Sequence, residues 1–193
     1  MTDIIITTDR LLLKGVTPQI IHEQFLTKSE EETRAFFGTD EKGYERLKQM
    51  HEKGMETDRL SVFFFLLIDK ETSKPIGECG FHTWNRTHRR AEVYYALGDD
   101  VHKGKGLMTE ALVEAIRFAF EQMNLHRIQA LVANANTPSI RLLKRYGFSF
   151  EGTMREDYVV DGKSEDSDCY SLLKHEWLER QQPATINLSS AAE

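Results

Sequence analysis

The sequence predicts a single mixed α/β domain, and three observations carry that prediction. Ser61 to Ile68 (SVFFFLLI) is a continuous apolar run of strand length and reads as a buried strand. Met108, Ala111, Leu112, Ala115, Ile116, Ala119 and Met123 recur at the three-to-four spacing of a helix with one buried face. That helix stands between two strand-like segments, Ala91 to Leu97 and Arg127 to Val132. A crossover of this kind joins locally parallel strands and implies a ligand at their carboxyl ends.

Ile4 to Ile6 and Leu11 to Leu13 flank Thr8-Asp9-Arg10 and form an opening strand region. Thr17-Pro18 starts a helix, since threonine caps open N–H groups and proline, lacking one, fits the first turn. This helix runs to about Leu26. Residues 28 to 57 are polar and charged, and Tyr44, Leu47 and Met50 predict further helix there. The Ser61–Ile68 strand, a turn over Asp69 to Lys74 and a strand over Pro75 to His82 make a hairpin. Gly98-Asp99-Asp100 ends the Ala91–Leu97 strand. Asn136-Thr137-Pro138 opens a short helix that stops at Gly147, a residue suited to a left-handed cap. Two closing strands, Phe150 to Val160 and Asp168 to Leu173, are split by Asp161-Gly162. The domain is expected over residues 8–177, with 178–193, where periodicity is lost, as a flexible tail.

The length of 193 residues is enough for one domain with a full core. A net charge of -6 without a basic cluster argues against a nucleic-acid partner. No run reaches the ~18 apolar residues of a membrane helix. No basic segment followed by an apolar one marks a secretory leader. Cys79 and Cys169, with no C-x-x-C, read as packing residues and point to a reducing, cytoplasmic compartment. The seven histidines show no metal-ligand spacing, so no metal is expected.

The chemistry is concentrated in Val101 to Thr109 (VHKGKGLMT), a glycine turn between strand and helix. Such a turn aims backbone N–H groups at one spot, and the helix adds the positive end of its dipole, which suits a phosphate. It is not a P-loop, because Lys103 stands where the second glycine belongs and Gly106 follows Lys105. It is not a dinucleotide fingerprint either, because Thr109 takes the third glycine position and no acidic residue ends a following strand.

Four segments in order resemble the GNAT superfamily of acetyl-CoA-dependent N-acetyltransferases. More narrowly, they are similar to the branch named for ribosomal-protein N-terminal acetyltransferases. They are Thr8-Asp9-Arg10-Leu11-Leu12-Leu13, Ala91 to Leu97, Lys103-Gly104-Lys105-Gly106-Leu107-Met108, and Asn136-Thr137-Pro138-Ser139 with Leu142 to Phe148. The resemblance covers roughly Thr8 to Trp177. It implies a mixed, mostly antiparallel sheet with flanking helices, and acetyl-CoA as cosubstrate. It also implies a primary-amine acceptor, a protein N-terminus or a small amine. Dimers are common in the family. Lys103 departs from the usual Gln or Arg, and Met108 from the usual small residue. Leu143 stands where many members carry a tyrosine acid, and Tyr158 where one relative has a glutamate base.

The resemblance further implies that Lys103, Gly104, Lys105, Gly106, Leu107, Met108 and Thr109 cradle the CoA pyrophosphate. The backbone of Tyr95, Ala96 and Leu97 would hold the pantetheine arm, with an N–H near Leu97 facing the oxyanion. Asn136 is a cofactor contact or a helix cap, and Ser139 an acid, a cofactor contact or a first-turn residue. An ammonium must lose a proton before it attacks. Glu92, on the cofactor-lining strand, is the first candidate base, with a structural carboxylate paired to Arg89 or Arg127 as the competing role. Glu156 is a poorer candidate. Glu30, Glu31, Glu32, Asp40 and Glu41 form either a solvated face or an entrance for a cationic acceptor.

Overall fold

The computed structural model describes residues 4–54 and 62–181. The expectations for 55–57, Ser61 and 182–193 lie outside them. The elements in chain order are β1 (Ile5–Thr7), β2 (Leu11–Val16), α1 (Pro18–Thr27), α2 (Glu30–Phe37), α3 (Glu41–Lys53), β3 (Phe63–Asp69), β4 (Pro75–Asn85) and β5 (Arg90–Leu97). A 3-10 turn (Asp100–His102) leads to α4 (Leu107–Glu121), β6 (Arg127–Ala133), α5 (Thr137–Arg145), β7 (Ser149–Val160), β8 (Lys163–Leu173) and α6 (Lys174–Gln181). The strands form one sheet in the order β1-β2-β3-β4-β5-β6-β8-β7. Among the described residues only β5 and β6 run parallel, and α4 is the crossover between them.

The apolar run in β3 is continuous because both faces of the sheet are covered. Phe63, Phe65 and Leu67 enter the core beneath α4, with Leu112, Ile116 and Phe120. Phe64 and Leu66 face the other way, onto Ile21, Phe37 and Leu47 of α1 to α3. Local chemistry sets the helix starts, at Thr17 as the sequence predicts and at Ser29 and Asp40 beyond what it predicts. The Thr17 side chain accepts from Ile20 N, and Asp40 accepts from Gly43 N. Ser29 and Glu32 complete a reciprocal capping box.

Two elements differ from the sequence reading. β8 begins at Lys163 rather than Asp168, because Lys163, Ser164 and Glu165 pair with Val160, Val159 and Tyr158. A polar run with no apolar alternation gives no sign of that ladder. α6 continues through Gln181, past the expected limit at Trp177 and into the segment expected to be a flexible tail. It is anchored by the buried Trp177 and by Glu176, whose carboxylate accepts from Leu173 N.

α5 ends in a Schellman motif: Phe148 N–H reaches Leu143 O at 3.1 Å and Gly147 N–H reaches Lys144 O at 3.1 Å. Gly147 sits at φ +86, a left-handed conformation that a side chain makes costly. Gly147→Ala is expected to lower stability by about 1–2 kcal/mol, as read by urea denaturation.

Arg127 on β6 makes a forked pair with Glu151 on β7, both contacts at 2.6 Å, and Ser171 donates to the same carboxylate. The hydrogen bonds from Arg127 and then Ser171 pull Glu151 down to about 2. A carboxyl lowered on folding stabilises the fold above its ordinary value of 4.5, and the contribution fades as pH falls toward about 2. Acid titration of Glu151→Gln should show a smaller loss of stability across that window than the parent protein.

Candidate active site

β5 and β6 pair over only three positions, Arg90↔Arg127, Ala91↔Ile128 and Glu92↔Gln129. Beyond these β6 follows β8 through Ala133, and β5 stays with β4 through Leu97. The strands splay into a V. Among the described residues, the β5 backbone groups that face β6 beyond Glu92 have no ladder partner. A buried backbone polar group calls for a partner, so an open V is a place for a ligand with amide groups of its own.

A cleft of about 240 Å³ fills the V, lined by His82, Glu92, Tyr94, Tyr95, Ser139 and Tyr158 among others. Next to it a cavity of about 570 Å³ is lined by Tyr95, Ala96, Leu97, Lys103, Gly104, Met108, Asn136 and Ser139. A third, of about 650 Å³, is lined by Gly104, Gly106, Leu107, Met108, Thr109, Arg141 and Arg145. Shared linings join the three into one channel, from the splayed strands to the start of α4.

The α4 terminus is built for an anion. Gly104 and Gly106 lie at φ +73 and +78, and Gly106 is the N-cap with no side chain satisfying the helix's open N–H groups. The first intrahelical bond is Glu110 N–H to Gly106 O at 3.0 Å, which leaves Leu107, Met108 and Thr109 N–H without helical acceptors. A side-chain cap is what usually fills this place, and an anion fits it equally well. The Leu107 side chain meanwhile packs in the core, so the helix start is fixed from behind.

The turn is braced by the opening strands. Glu110 accepts from Thr8 Oγ1 (2.5 Å), Arg10 N (2.7 Å) and Arg10 Nε (2.8 Å), and Arg10 Nη1 donates to Lys105 O (2.8 Å). Burial works against the Glu110 charge, but these hydrogen bonds outweigh it and hold the carboxyl below its ordinary range. Tyr146 OH donates to Thr109 O at 2.5 Å and ties α5 to the same turn.

The structure brings most of the sequence-predicted residues to this channel. Tyr95, Ala96, Leu97, Lys103, Gly104, Gly106, Leu107, Met108, Thr109, Asn136 and Ser139 all line it. Lys103 also pairs with Asp100 at 2.6 Å. Lys105 lines neither of the two larger cavities, and its carbonyl serves as the anchor for Arg10. Asn136 Oδ1 caps α5 by accepting from Ser139 N at 3.2 Å. Ser139 and Tyr95 line the same cavities; burial raises the Tyr95 phenol's pKa and the neighbouring Ser139 side chain opposes the rise.

Glu92 lies in the cleft, 8% exposed, but its partners are not the arginines expected from sequence. Arg127 pairs with Glu151, while Gln129 Nε2 donates to Glu92 Oε2 at 3.2 Å and His82 Nε2 lies 3.4 Å from Oε1. Glu156 is exposed at a β7 bulge, where its backbone N–H donates to Asp166. The acidic cluster is absorbed by helix starts: Asp40 caps α3, and Glu30, Glu31 and Glu32 fill the first turn of α2.

Three polar lining residues, His82, Arg141 and Arg145, escaped the sequence reading, as did Gln129, which lines no cavity but holds Glu92. Of these, Arg141 and Arg145 had a signal, their i,i+4 spacing on a short helix after Asn136-Thr137-Pro138. His82 and Gln129 had none, since only strand register sets them opposite Glu92.

Comparison with known proteins agrees with this geometry. Residues 10–149 match the family model of the acetyltransferase (GNAT) domain. An uncharacterized N-acetyltransferase of Bacillus licheniformis, p20, is 42% identical over 113 residues, 58% of this chain and 63% of its own length. The [ribosomal protein uS5]-alanine N-acetyltransferase of Escherichia coli is 32% identical over 132 residues, 68% of this chain and 64% of its own. The chain thus spans a little under two thirds of each of these relatives. The spermidine/spermine N-acetyltransferase SpeG of Vibrio cholerae shares the fold, with a TM-score of 0.68 over 90% of this chain and 100% of that one at 22% identity. GNAT-fold acetyltransferases use acetyl-CoA as cosubstrate, and the uncapped helix start, the splayed strands and the channel between them fit that molecule. With the family model matched over most of its length, the chain belongs to the GNAT acetyltransferase family.

Proposed function

We propose that this protein moves the acetyl group of acetyl-CoA onto a protein N-terminal α-amine, by direct transfer in a ternary complex. The observation that carries the reading is the continuous channel from the V between β5 and β6 to the uncapped start of α4. Its two ends have opposite character. Lys103, Arg141 and Arg145 stand at the α4 end, suited to phosphates. Glu92, Tyr94 and Tyr158 stand at the other, suited to a cationic amine.

In this reading the N–H groups of Leu107, Met108 and Thr109 hold the pyrophosphate, and Gly104 and Gly106 let it approach. The open backbone of Tyr95, Ala96 and Leu97 pairs with the pantetheine amides, and Asn136 borders the same arm. Glu92 supplies the negative charge that helps draw a proton from the ammonium, directly or through a neighbour. Ser139 returns a proton to the leaving thiolate, the role that Leu143 cannot take.

An N-terminal amine is favoured over a lysine or polyamine because its pKa is about 8 rather than about 10.4. At pH 7 about a tenth of it is already neutral, against less than about a thousandth of a lysine amine. The identity to the ribosomal-protein acetyltransferase supports the same choice. Two unpaired cysteines, Cys79 and Cys169, fit a reducing cytoplasmic compartment. A second reading, an acyl-CoA-binding module without turnover, draws on Leu143 at the position of the tyrosine acid.

An amine panel with acetyl-CoA, read by thiol release, separates these readings. Turnover on peptides with free Ala or Ser N-termini, and little on spermidine or Nα-blocked lysine peptides, is the expected result. A preference for spermidine would change the acceptor. Tight acetyl-CoA binding with no thiol release on any amine would leave the binding module.

A further inference from the structure

We infer that His82, rather than Glu92, is the group that takes the proton from the acceptor amine, with Glu92 as its positioning carboxylate. The inference rests on the acetyl-transfer reading above.

Four observations support it. First, the β4–β5 register sets His82 directly opposite Glu92, and both line the cleft in the V. The His82 side chain is 42% exposed and the Glu92 side chain only 10%, so an incoming amine meets the imidazole first. Second, each group is held from behind. Gln129 Nε2 donates to Glu92 Oε2 at 3.2 Å, which turns Oε1 toward His82. The His82 ring lies against Tyr94, with centroids 5.4 Å apart.

Third, the two imidazole nitrogens have different neighbours. Nδ1 is 2.9 Å from Thr83 Oγ1, and a hydrogen bond donated there by Nδ1–H leaves the Nε2 lone pair open. Nε2 lies 3.4 Å from Glu92 Oε1, too long for a strong hydrogen bond in the resting state. The same separation is close enough to stabilise an imidazolium once Nε2 is protonated. Fourth, the backbone is bent to make this arrangement. The β4–β5 register shifts between His82 and Asn85, and Thr83 sits at φ +48, rare for a β-branched residue. A bulge beside a site re-aims a side chain, and here it brings the Thr83 hydroxyl to the histidine that precedes it.

Among the described residues, the titratable groups that line the cleft with His82 are Glu92, Tyr94 and Tyr95 on β5 and Tyr158 on β7. Farther along the same sheet face is the Glu78–Arg46 pair at 2.9 Å, which lies beside Tyr94 and largely neutralises itself. Glu92 is therefore the dominant charge on the imidazole.

The step balances as a proton transfer followed by addition and elimination. One ammonium N–H bond breaks and its proton passes to His82 Nε2. The freed lone pair forms the C–N bond to the thioester carbonyl as the C–S bond breaks. Ser139 gives its proton to the departing thiolate and takes the nitrogen's second proton in exchange, and His82 returns its own proton to water.

The test is the pH dependence of kcat/KM for an N-terminal peptide acceptor, between pH 5.5 and 9, in the parent protein, His82→Gln, Glu92→Gln, Thr83→Val and Thr83→Ser. The parent should show an acidic limb, because protonation of the imidazole removes the free lone pair that takes the amine's proton. His82→Gln should lose that limb and about 10³-fold of the rate at pH 7, recovering as pH rises toward the amine's own pKa. Glu92→Gln should keep a limb, displaced to lower pH, because the imidazolium loses its neighbouring charge. Thr83→Val should cost about 10-fold and Thr83→Ser should restore it. Unchanged acetyl-CoA binding in each variant shows that the fold is intact. A parent-like profile in His82→Gln, with the limb lost in Glu92→Gln, overturns the inference and makes Glu92 the direct base. Absence of turnover in the parent protein on every amine overturns the acetyl-transfer reading, and this inference with it.

Discussion

Gly106→Val is expected to weaken acetyl-CoA binding about 10²-fold while leaving the fold in place, as measured by calorimetric titration and by melting of the apo protein. Gly106 caps α4 at φ +78, a conformation that costs a β-branched residue about 1–3 kcal/mol. A Cβ there would meet only Arg10 Nη2, at an ordinary 3.6 Å, so the protein has room for the side chain. The penalty is therefore conformational. To relieve it the turn must move, and the N–H groups of Leu107 to Thr109 move with it. Each charge-assisted hydrogen bond lost costs about 1.5–3 kcal/mol, so one bond misaligned already accounts for the expected factor. The Arg10–Glu110 brace and the Tyr146–Thr109 bond hold the helix itself, which limits the damage to the turn. Unchanged affinity would show that the α4 start is not the phosphate site.

Glu92→Gln is expected to lower kcat/KM about 10²-fold at pH 7, with the loss shrinking as pH rises toward the amine's pKa. Glutamine keeps the shape and can still meet Gln129, so the change removes charge and little else. Glu92 lines the cleft in the V but neither cavity at the α4 end, so acetyl-CoA affinity should stay within about twofold. Steady-state kinetics across pH, with acetyl-CoA binding measured separately, gives both numbers. A parent-like profile would remove Glu92 from the chemistry.

The two residues differ in how far each could be read from the chain. Gly106 was legible because its signal is local: a glycine between a strand and a strongly periodic helix. The same holds for Asn136 and Gly147 at the two ends of α5 and for Thr17 before Pro18, where a cap and its partner lie within a few residues. Glu92 was legible as a strand residue but not in its surroundings. Arg127, one of the two arginines offered as Glu92's partner in the competing structural role, is drawn to Glu151 by a forked pair across β6, β8 and β7. That preference depends on which strands are neighbours, which no local period encodes. β8 was read short for the related reason that its first half is polar and is strand only through pairing with β7.

The sequence alone determined the mixed α/β class, the positions of most helices and strands, and the glycine turn that opens α4. These follow from the 3.6- and 2-residue periods and from capping residues, whose energies are set within one turn of chain. Tertiary structure alone decided the cleft between the splayed strands. Register placed His82 beside Glu92, the parting of β5 from β6 opened the cleft, and the bulge at Thr83 aimed the imidazole. The physical reason is that each of these joins residues on different strands. Their contact energies depend on pairing and burial across the sheet, and a one-residue slip would turn every such side chain to the opposite face.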